Sequence, residues 1–106
     1  MSQKILQVNF KFSVSKAEYE QVCLPEAPNL AAAPGLRWKV WIMNEVEREA
    51  GGIYLFDDET SLQSFVEPLK AMLDAPIFSD IRMTTFDILE ALTLITRGPI
   101  QETAQI

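Results

Sequence analysis

The sequence predicts an α+β domain of the ferredoxin-like class, with the element order β-α-β-β-α-β. Three observations predict it: an alternating N-terminal segment followed by a helix-start signal, two apolar strands joined by a short polar hairpin, and a helical apolar stripe before a last strand. The chain has 106 residues. We therefore expect a single domain over 1–106, with about 89–106 as a C-terminal extension.

The first strand is expected from Ile5 to Val14, because apolar and polar residues alternate there. The segment Ser15 to Glu18, which reads SKAE, has the pattern of a capping box and predicts the start of a helix. Pro25 and Pro28 fall in this helical region, where an interior proline costs about 3 kcal/mol. We expect two short helical pieces or one kinked helix, ending before a turn at Pro34-Gly35.

Two further strands are expected from Leu36 to Asn44 and from Glu49 to Phe56. The residues EVER between them are polar and few enough for a hairpin, so the two strands should pair antiparallel. The next helix can be capped by Asp57 or Asp58, and Thr60 to Gln63 is a second possible capping box. The acidic residues at this point are typical of a first helical turn.

The second helix is predicted by an apolar stripe at helical spacing, made of Leu62, Phe65, Val66, Leu69, Met72 and Leu73. Pro68 lies inside the stripe and should kink or split the helix. Ile81 to Ile88 is the expected fourth strand. The apolar segment after it, which begins at Leu89, is expected to dock on the domain.

The strands around the tryptophans are apolar on both faces: Leu36, Trp38, Val40 and Ile42 alternate with Trp41 and Met43. Helices cover only one face of a ferredoxin-like sheet, so the other face needs a second cover. We expect a homodimer that forms through the sheet faces.

Composition excludes several classes of function. The formal charge of −6 and the scattered basic residues disfavour nucleic acid and anionic membrane surfaces as partners. No run of about 18 apolar residues is present, so no membrane span is expected. The absence of histidine removes the commonest general base and the commonest metal ligand, and no metal site is expected. A single cysteine and no secretory signal suggest the cytoplasm.

The central segment PGLRWKVWIMNEVEREAGGIYLFDDE resembles the YdhR-like putative mono-oxygenase family. The resemblance is carried by the Pro34-Gly35 turn, by Trp38-Lys39-Val40-Trp41, and by the strand from Ala50 to Phe56. It covers about Lys4 to Ile88. It implies a dimeric α+β barrel related to small oxygenases of antibiotic biosynthesis, which make quinones without metal or flavin. No cofactor is therefore expected.

The aromatic residues are the candidate walls of a pocket for a small aromatic ligand. Trp38 and Trp41 are three apart on a strand and must point to opposite faces. One should meet the helices and the other the dimer interface, and by alternation Trp38 lies with Leu36 and Val40. The expected substrate pocket is formed by Trp38, Trp41, Phe56 and Phe10.

The candidate catalytic groups are Tyr54 and Asn9. The Tyr54 hydroxyl could position a phenol or quinone oxygen, or it could reach a backbone carbonyl in the core. Oxygenases of this fold commonly use a pocket asparagine; Asn9 and Asn44 are candidates, and Asn9 could instead face the interior of the dimeric barrel.

Other residues near the tryptophans carry two interpretations each. Gly51 and Gly52 indicate either a bulge or room for a ligand. Lys39 and Arg37 either hold an anionic substrate or extend to solvent. Cys23 has no histidine to activate it, and packing is the better interpretation.

Two functions follow, and a third is disfavoured. The first is a cofactor-independent mono-oxygenase that acts on an aromatic or polyketide-like small molecule. The second is a protein of the same fold that binds a small ligand, or interacts as a dimer, without catalysis. Haem degradation in related barrels uses a histidine on the iron, and this chain has none.

Overall fold

The computed structural model describes residues 2–101 and contains one four-stranded antiparallel sheet with helices. In chain order the elements are β1 (Lys4–Phe12), α1 (Lys16–Cys23), a 3-10 turn (Leu24–Glu26), α2 (Ala27–Ala31), β2 (Leu36–Asn44), β3 (Glu49–Phe56), α3 (Glu59–Met72), β4 (Phe78–Asp87) and α4 (Glu90–Ile95). The strand order is β2-β3-β1-β4, which is the ferredoxin-like arrangement that the sequence predicts. The predicted bounds of β2 and β3 are confirmed.

The hydrophobic core lies between one face of the sheet, called here the helix face, and helices α1, α2 and α3. Its members on the strands are every second residue of β1 and β3, as a pleated strand requires. The buried core residues on these strands are Leu6, Val8, Phe10, Phe12, Ala50, Tyr54 and Phe56. Helices contribute Tyr19, Leu30, Leu62, Phe65 and Leu69. The core therefore contains many aromatic rings in close contact.

Helix α1 begins at the predicted capping box. Ser15 accepts a hydrogen bond from the Glu18 N–H at 3.1 Å, and the Glu18 carboxylate accepts one from the Ser15 N–H at 3.2 Å. Helix α3 is capped by Asp58, whose carboxylate accepts a hydrogen bond from the Ser61 N–H at 2.8 Å. Of the predicted alternatives for the start of α3, the structure therefore selects Asp58.

Replacing Ser15 with alanine should lower the free energy of unfolding by about 1 kcal/mol, because the N–H groups of the first turn lose their side-chain acceptor. Equilibrium unfolding in urea measures the change. Ser13→Ala is the matched control, since Ser13 is exposed and its side chain makes no hydrogen bond within residues 2–101. Equal losses in the two variants would contradict the role of the capping box.

The prolines act differently in the two helical regions. Pro25 lies in the 3-10 turn and Pro28 in the first turn of α2, so the region forms the two short helices that were expected. Pro68 was expected to kink or split α3, and no split occurs: α3 is a single helix from Glu59 to Met72. Because Pro68 has no N–H, the Ser64 carbonyl loses its hydrogen-bond donor in the helix. Both residues are exposed, so water can donate to that carbonyl instead.

A bulge at the start of β2 changes which residues share a face. Leu36 pairs with Phe56, but Trp38 pairs with Leu55, so one extra residue is inserted at Arg37. Leu36 consequently packs on the core, whereas Trp38 lies on the other face with Val40. The two tryptophans lie on opposite faces as predicted, but the prediction that Leu36 accompanies Trp38 is wrong.

The sheet face opposite the helices, called here the open face, carries Ile5, Trp38, Val40, Ile42, Ile53, Leu55 and Phe86. Val40 and Phe86 are about half exposed, while Leu55 is buried. The segment after α4 returns to this region, because the Trp38 Nε1–H donates to the Pro99 carbonyl at 2.8 Å and Ile100 is buried. The rest of the expected extension, 102–106, lies outside the described residues. Within residues 2–101, no helix is both long and apolar enough to cross a membrane.

Candidate active site

A cavity of about 240 Å³ lies between the helix face of the sheet and the helices. Strands β1, β2 and β3 form its floor, α1 and the end of α3 form its sides, and the segment from Ala75 to Phe78 closes one end. The residues that matter for its chemistry are Phe10, Tyr19, Cys23, Lys39, Trp41 and Tyr54. The cavity therefore combines aromatic walls with a small set of polar atoms, which is the usual composition of a small-molecule site.

The register of the β2–β3 hairpin brings three of these residues together. Lys39 pairs with Tyr54, and Trp41 pairs with Gly52 one position further along the same face. Because the bulge at Arg37 shifts the alternation, Lys39 and Trp41 face the helices instead of the open face. Tyr19 and Cys23 are four apart on α1, so both lie on the helix side that faces this hairpin.

Lys39 places a cation inside the aromatic cavity. Its Nζ lies 3.3 Å from the centre of the Trp41 ring and 4.6 Å from the centre of the Tyr54 ring. Within residues 2–101 no carboxylate forms an ion pair with it. Burial lowers the pKa of the Lys39 ammonium from 10.5 to about 8, although the Cys23 thiol acts in the opposite direction. Lys39 is thus a cation held by rings alone.

Gly52 provides the space that Lys39 occupies. A Cβ atom at position 52 would lie 2.6 Å from the Lys39 Cε and 3.1 Å from Tyr54 Cε1. At Gly51 a Cβ atom would lie 1.8 Å from the Val8 carbonyl oxygen, so this glycine permits the close approach of β1 and β3. The pairing of β3 is regular at both positions, and no bulge occurs there.

Tyr54 is held rigidly by its ring, while its hydroxyl has no partner among the described residues. Only 2% of the residue is exposed, and its ring centre lies 5.3 Å from that of Phe65 and 6.3 Å from that of Phe56. The hydroxyl reaches no backbone carbonyl within residues 2–101. Burial raises the pKa of Tyr54 above its ordinary value, so the hydroxyl stays protonated and is able to donate a hydrogen bond.

Tyr19 and Cys23 form the opposite wall of the cavity. Burial raises the pKa of both side chains above their ordinary values, and each side chain also acts on the pKa of the other. Both groups are therefore neutral near pH 7. The structure thus places a neutral polar pair on α1 opposite the Lys39 cation on β2.

A second, wider groove of about 580 Å³ adjoins the cavity between α1 and the free edge of β2. Tyr19, Cys23 and Trp41 line both spaces. The shared side chains make the groove a candidate entrance to the cavity.

A family model described as putative mono-oxygenase ydhR matches residues 5–99 of the chain. The chain belongs to the YdhR family. No curated protein matches it significantly.

Solved structures similar to this YdhR-family chain share its fold at low identity. SnoaB, a cofactor-independent oxygenase from Streptomyces nogalater, is 14% identical over all of both chains, with a TM-score of 0.63. The monooxygenase from the gene ActVA-Orf6 of Streptomyces coelicolor, in complex with nanaomycin D, is 12% identical over 96% of this chain and 94% of its own, with a TM-score of 0.60. MhuD, a heme-degrader from Mycobacterium tuberculosis, is 13% identical over 80% and 95%, with a TM-score of 0.62.

The structure brings together only some of the predicted site residues of this YdhR-family member. Tyr54, Trp41 and Phe10 line the cavity. Phe56 is fully buried beside Tyr54 and does not line it.

Trp38 and Asn9 lie on the open face, away from the cavity. The Asn9 amide oxygen accepts a hydrogen bond from the Gln7 side chain at 3.0 Å. Asn44 accepts one from the Glu47 N–H at 3.1 Å and stabilises the hairpin. The cavity therefore contains no asparagine.

Sequence reasoning left Lys39 open between an anion-binding residue and a solvent-exposed one, interpreted Cys23 as a packing residue and did not consider Tyr19. For Lys39 a signal existed, because a lysine between two tryptophans in an apolar strand lacks an obvious route to solvent. The sheet face on which Lys39 lies depends on the bulge at Arg37, and no residue pattern predicts that bulge. Within residues 2–101, no cluster of acidic and cysteine side chains could hold a metal ion.

Replacing Lys39 with methionine should raise the free energy of unfolding at pH 7 by about 2 kcal/mol. The folded state binds the Lys39 proton less tightly than the unfolded chain, so the cost of the buried ammonium is fully present below pH 8. It disappears as the pH rises from about 8 to 10.5. Urea unfolding of both proteins at pH 7 and pH 10.5 measures this difference. Lys70→Met, on the surface of α3, is the control, and a pH-independent gain would contradict the prediction.

Proposed function

We propose that this protein is a cofactor-independent mono-oxygenase of an aromatic or polyketide-like small molecule, and that the cavity is its active site. The observation that carries the proposal is a cavity walled by Phe10, Tyr19 and Trp41 into which the Tyr54 hydroxyl brings a donor without a hydrogen-bond partner within residues 2–101. The family description and the printed descriptions of SnoaB and the ActVA-Orf6 enzyme support the same reaction class.

The reaction needs few groups from the protein because the substrate supplies the electrons. An electron-rich hydroxyarene loses its O–H proton to give a phenolate with carbanion character at a ring carbon, and this carbon reduces O2 and forms a C–O bond. The resulting peroxide takes up a proton. When the C–H proton of the same carbon leaves, the O–O bond breaks, and the products are a quinone carbonyl and water. The substrate loses four electrons, and dioxygen takes up all four.

The protein would contribute orientation, exclusion of water and a hydrogen bond. Trp41 and Phe10 provide faces for stacking, and each such contact adds about 0.5–1.5 kcal/mol beyond area burial. The Tyr54 hydroxyl would donate to the oxygen that carries the negative charge in the carbanion. Its raised pKa keeps it in the donor form at neutral pH.

The second candidate function is binding of a small ligand without chemistry. The cavity of about 240 Å³ is smaller than the ~300–1,000 Å³ of typical ligand sites, so it suits a smaller ligand than a polyketide-like substrate. A polycyclic substrate must therefore extend into the adjoining groove of about 580 Å³.

Oxygen uptake by metal-free and flavin-free protein tests the proposal. A panel of anthrone-like and naphthol-like phenols is supplied, with spontaneous oxidation subtracted and the quinone product identified by mass spectrometry. Saturable uptake with one O2 consumed per quinone supports the oxygenase. Saturable binding of the same compounds without uptake supports the binding protein instead.

We further propose that the chain forms a homodimer through its open face. Apolar side chains exposed on one sheet face, together with exposed Leu89, Leu92 and Ile95 around α4, form an apolar surface that a second copy can cover. The open face is also the face that the helices leave uncovered.

Val40→Glu should convert the dimer to a monomer, because Val40 is 51% exposed and lies on the open face, where a partner would bury the new charge unpaired. Analytical ultracentrifugation measures the mass. Val46→Glu is the matched control, since Val46 is 90% exposed in the hairpin and the same substitution there should leave the mass unchanged. A wild-type protein that sediments as a monomer would refute the dimer.

A further inference from the structure

We propose that Lys39 is the anion-binding group of the cavity and that the ligand is a hydroxyarene bound with its hydroxyl deprotonated. The inference rests on the proposed function for the identity of the site, and it adds the ionisation state of the substrate and the residue that selects it. Neither the Tyr54 hydroxyl nor the aromatic walls require a charged ligand; the cation does.

The first step of the argument is the unmatched charge. Lys39 Nζ contacts the faces of Trp41 and Tyr54, and no carboxylate pairs with it within residues 2–101. Ring faces attract a cation, but this attraction offsets only part of the hydration free energy that the ammonium loses on burial. An anionic ligand oxygen would form an ion pair with the Lys39 ammonium. Because the surroundings are apolar, this ion pair would strengthen the binding of the ligand.

The second step concerns the other groups that face Lys39. On α1 these are Tyr19 and Cys23, on β3 Tyr54, and in the 3-10 turn Glu26, which lines the same cavity. Tyr19, Cys23 and Tyr54 have raised pKa values and are neutral at pH 7. Glu26 does not form an ion pair with Lys39. Within residues 2–101, no carboxylate therefore occupies the place beside the ammonium that a ligand oxygen would take.

The third step is that the strand leaves space for this side chain. Because Gly52 has no Cβ, the Lys39 side chain can extend over β3 at this position. Its end then lies between the Trp41 and Tyr54 rings. Its ammonium therefore lies 4.6 Å from the centre of the Tyr54 ring, and both side chains line the cavity.

The proposed binding step moves one proton only. The ligand O–H bond breaks, and its proton passes to water when Lys39 is already an ammonium, or to Lys39 Nζ when Lys39 is a neutral amine. In both cases the bound state is a phenolate beside an ammonium. With the Lys39 pKa at about 8, both forms are present between pH 7 and 9. No electron is transferred in this step.

The test uses 4-nitrophenol, whose neutral and ionised forms have different visible spectra. The spectrum shows the ionisation of the bound probe without any oxygenation reaction. Its neutral analogue 4-nitroanisole has the same ring without the ionisable proton. Wild-type protein, Lys39→Met and the surface control Lys70→Met are titrated with both probes across pH 5 to 9. Lys39→Met removes the charge, keeps a similar length, and is expected to be the more stable protein at pH 7.

The expected result is that wild-type protein lowers the pKa of bound 4-nitrophenol by at least about one unit, which is a tenfold preference for the phenolate. Lys39→Met should lose that preference and bind 4-nitroanisole as tightly as before, and Lys70→Met should match wild type. The inference is overturned if 4-nitrophenol ionises at the same pH on wild type and Lys39→Met. It is also overturned if wild-type protein binds neither probe.

Oxygen uptake separates this inference from the proposed function. Phenolate-selective binding that depends on Lys39, without uptake of O2 by any phenol, supports the anion site and refutes the oxygenase. Uptake that is equal in wild type and Lys39→Met supports the oxygenase and refutes the role of Lys39.

Discussion

Tyr54→Phe should lower kcat/KM for oxygen uptake about a hundredfold, with part of the loss in kcat. The substitution removes one oxygen atom and keeps the ring, so stacking with Phe65 and Phe56 persists. The lost hydrogen bond is made to the oxygen that carries the negative charge, both in the bound phenolate and as the substrate reacts, so binding and rate should both be weakened. Steady-state oxygen uptake with the best phenol of the panel measures both constants.

Tyr19→Phe is the matched control for this prediction. Tyr19 lines the same cavity and has a similarly raised pKa, but it lies on α1 and not beside Lys39 on the sheet. Its removal should change kcat by no more than a few fold. Equal losses in the two variants would show that Tyr54 acts through packing or general polarity, and an unchanged kcat in Tyr54→Phe would remove it from the reaction.

The sequence predicted the fold well because its signals are local. The β2–β3 hairpin was bounded correctly at Leu36, Asn44, Glu49 and Phe56, since two apolar runs flank one polar turn. The capping box at Ser15 was equally direct. Pro68 was predicted to kink or split its helix, and the split does not occur. The cost of a proline depends on whether its helix face is exposed, and that is a tertiary property.

The site was less predictable because it depends on which face each residue occupies. One inserted residue at Arg37 reverses the alternation of β2 between Leu36 and Trp38. Trp41 and Lys39 consequently meet the helices, while Trp38 reaches the C-terminal segment. Alternation alone could state that the tryptophans diverge, but it could not state which one lines the cavity or that a lysine accompanies it.

The double glycine shows the same limit. The sequence offered a bulge or room for a ligand, whereas the structure shows two separate constraints: contact with the β1 backbone at Gly51 and space for a side chain of the protein itself at Gly52. A strand backbone moves less readily than the end of a side chain, so the same glycine-to-alanine substitution should cost much more at Gly51 than at Gly52.

Gly51→Ala should lower the free energy of unfolding by about 3 kcal/mol, a large part of the ~5–15 kcal/mol typical of a domain. The added Cβ would lie 1.8 Å from the Val8 carbonyl oxygen and 3.1 Å from the Asn9 Cα, both in the backbone of β1. Relief requires β1 and β3 to separate at the centre of the sheet, which weakens the ladder between Leu6 and Phe10. Equilibrium unfolding in urea measures the loss.

Gly52→Ala is the neighbouring control, and it should cost less than about 1 kcal/mol. Its Cβ meets the end of the Lys39 side chain, which can rotate away, instead of meeting backbone. The rotation would carry the ammonium off the Trp41 and Tyr54 rings, so this variant should lose phenolate selectivity while it keeps most of its stability. Equal stability losses at the two glycines would show that the backbone of β1 yields as readily as a lysine side chain, and a phenolate-selective Gly52→Ala would show that Lys39 does not need this space.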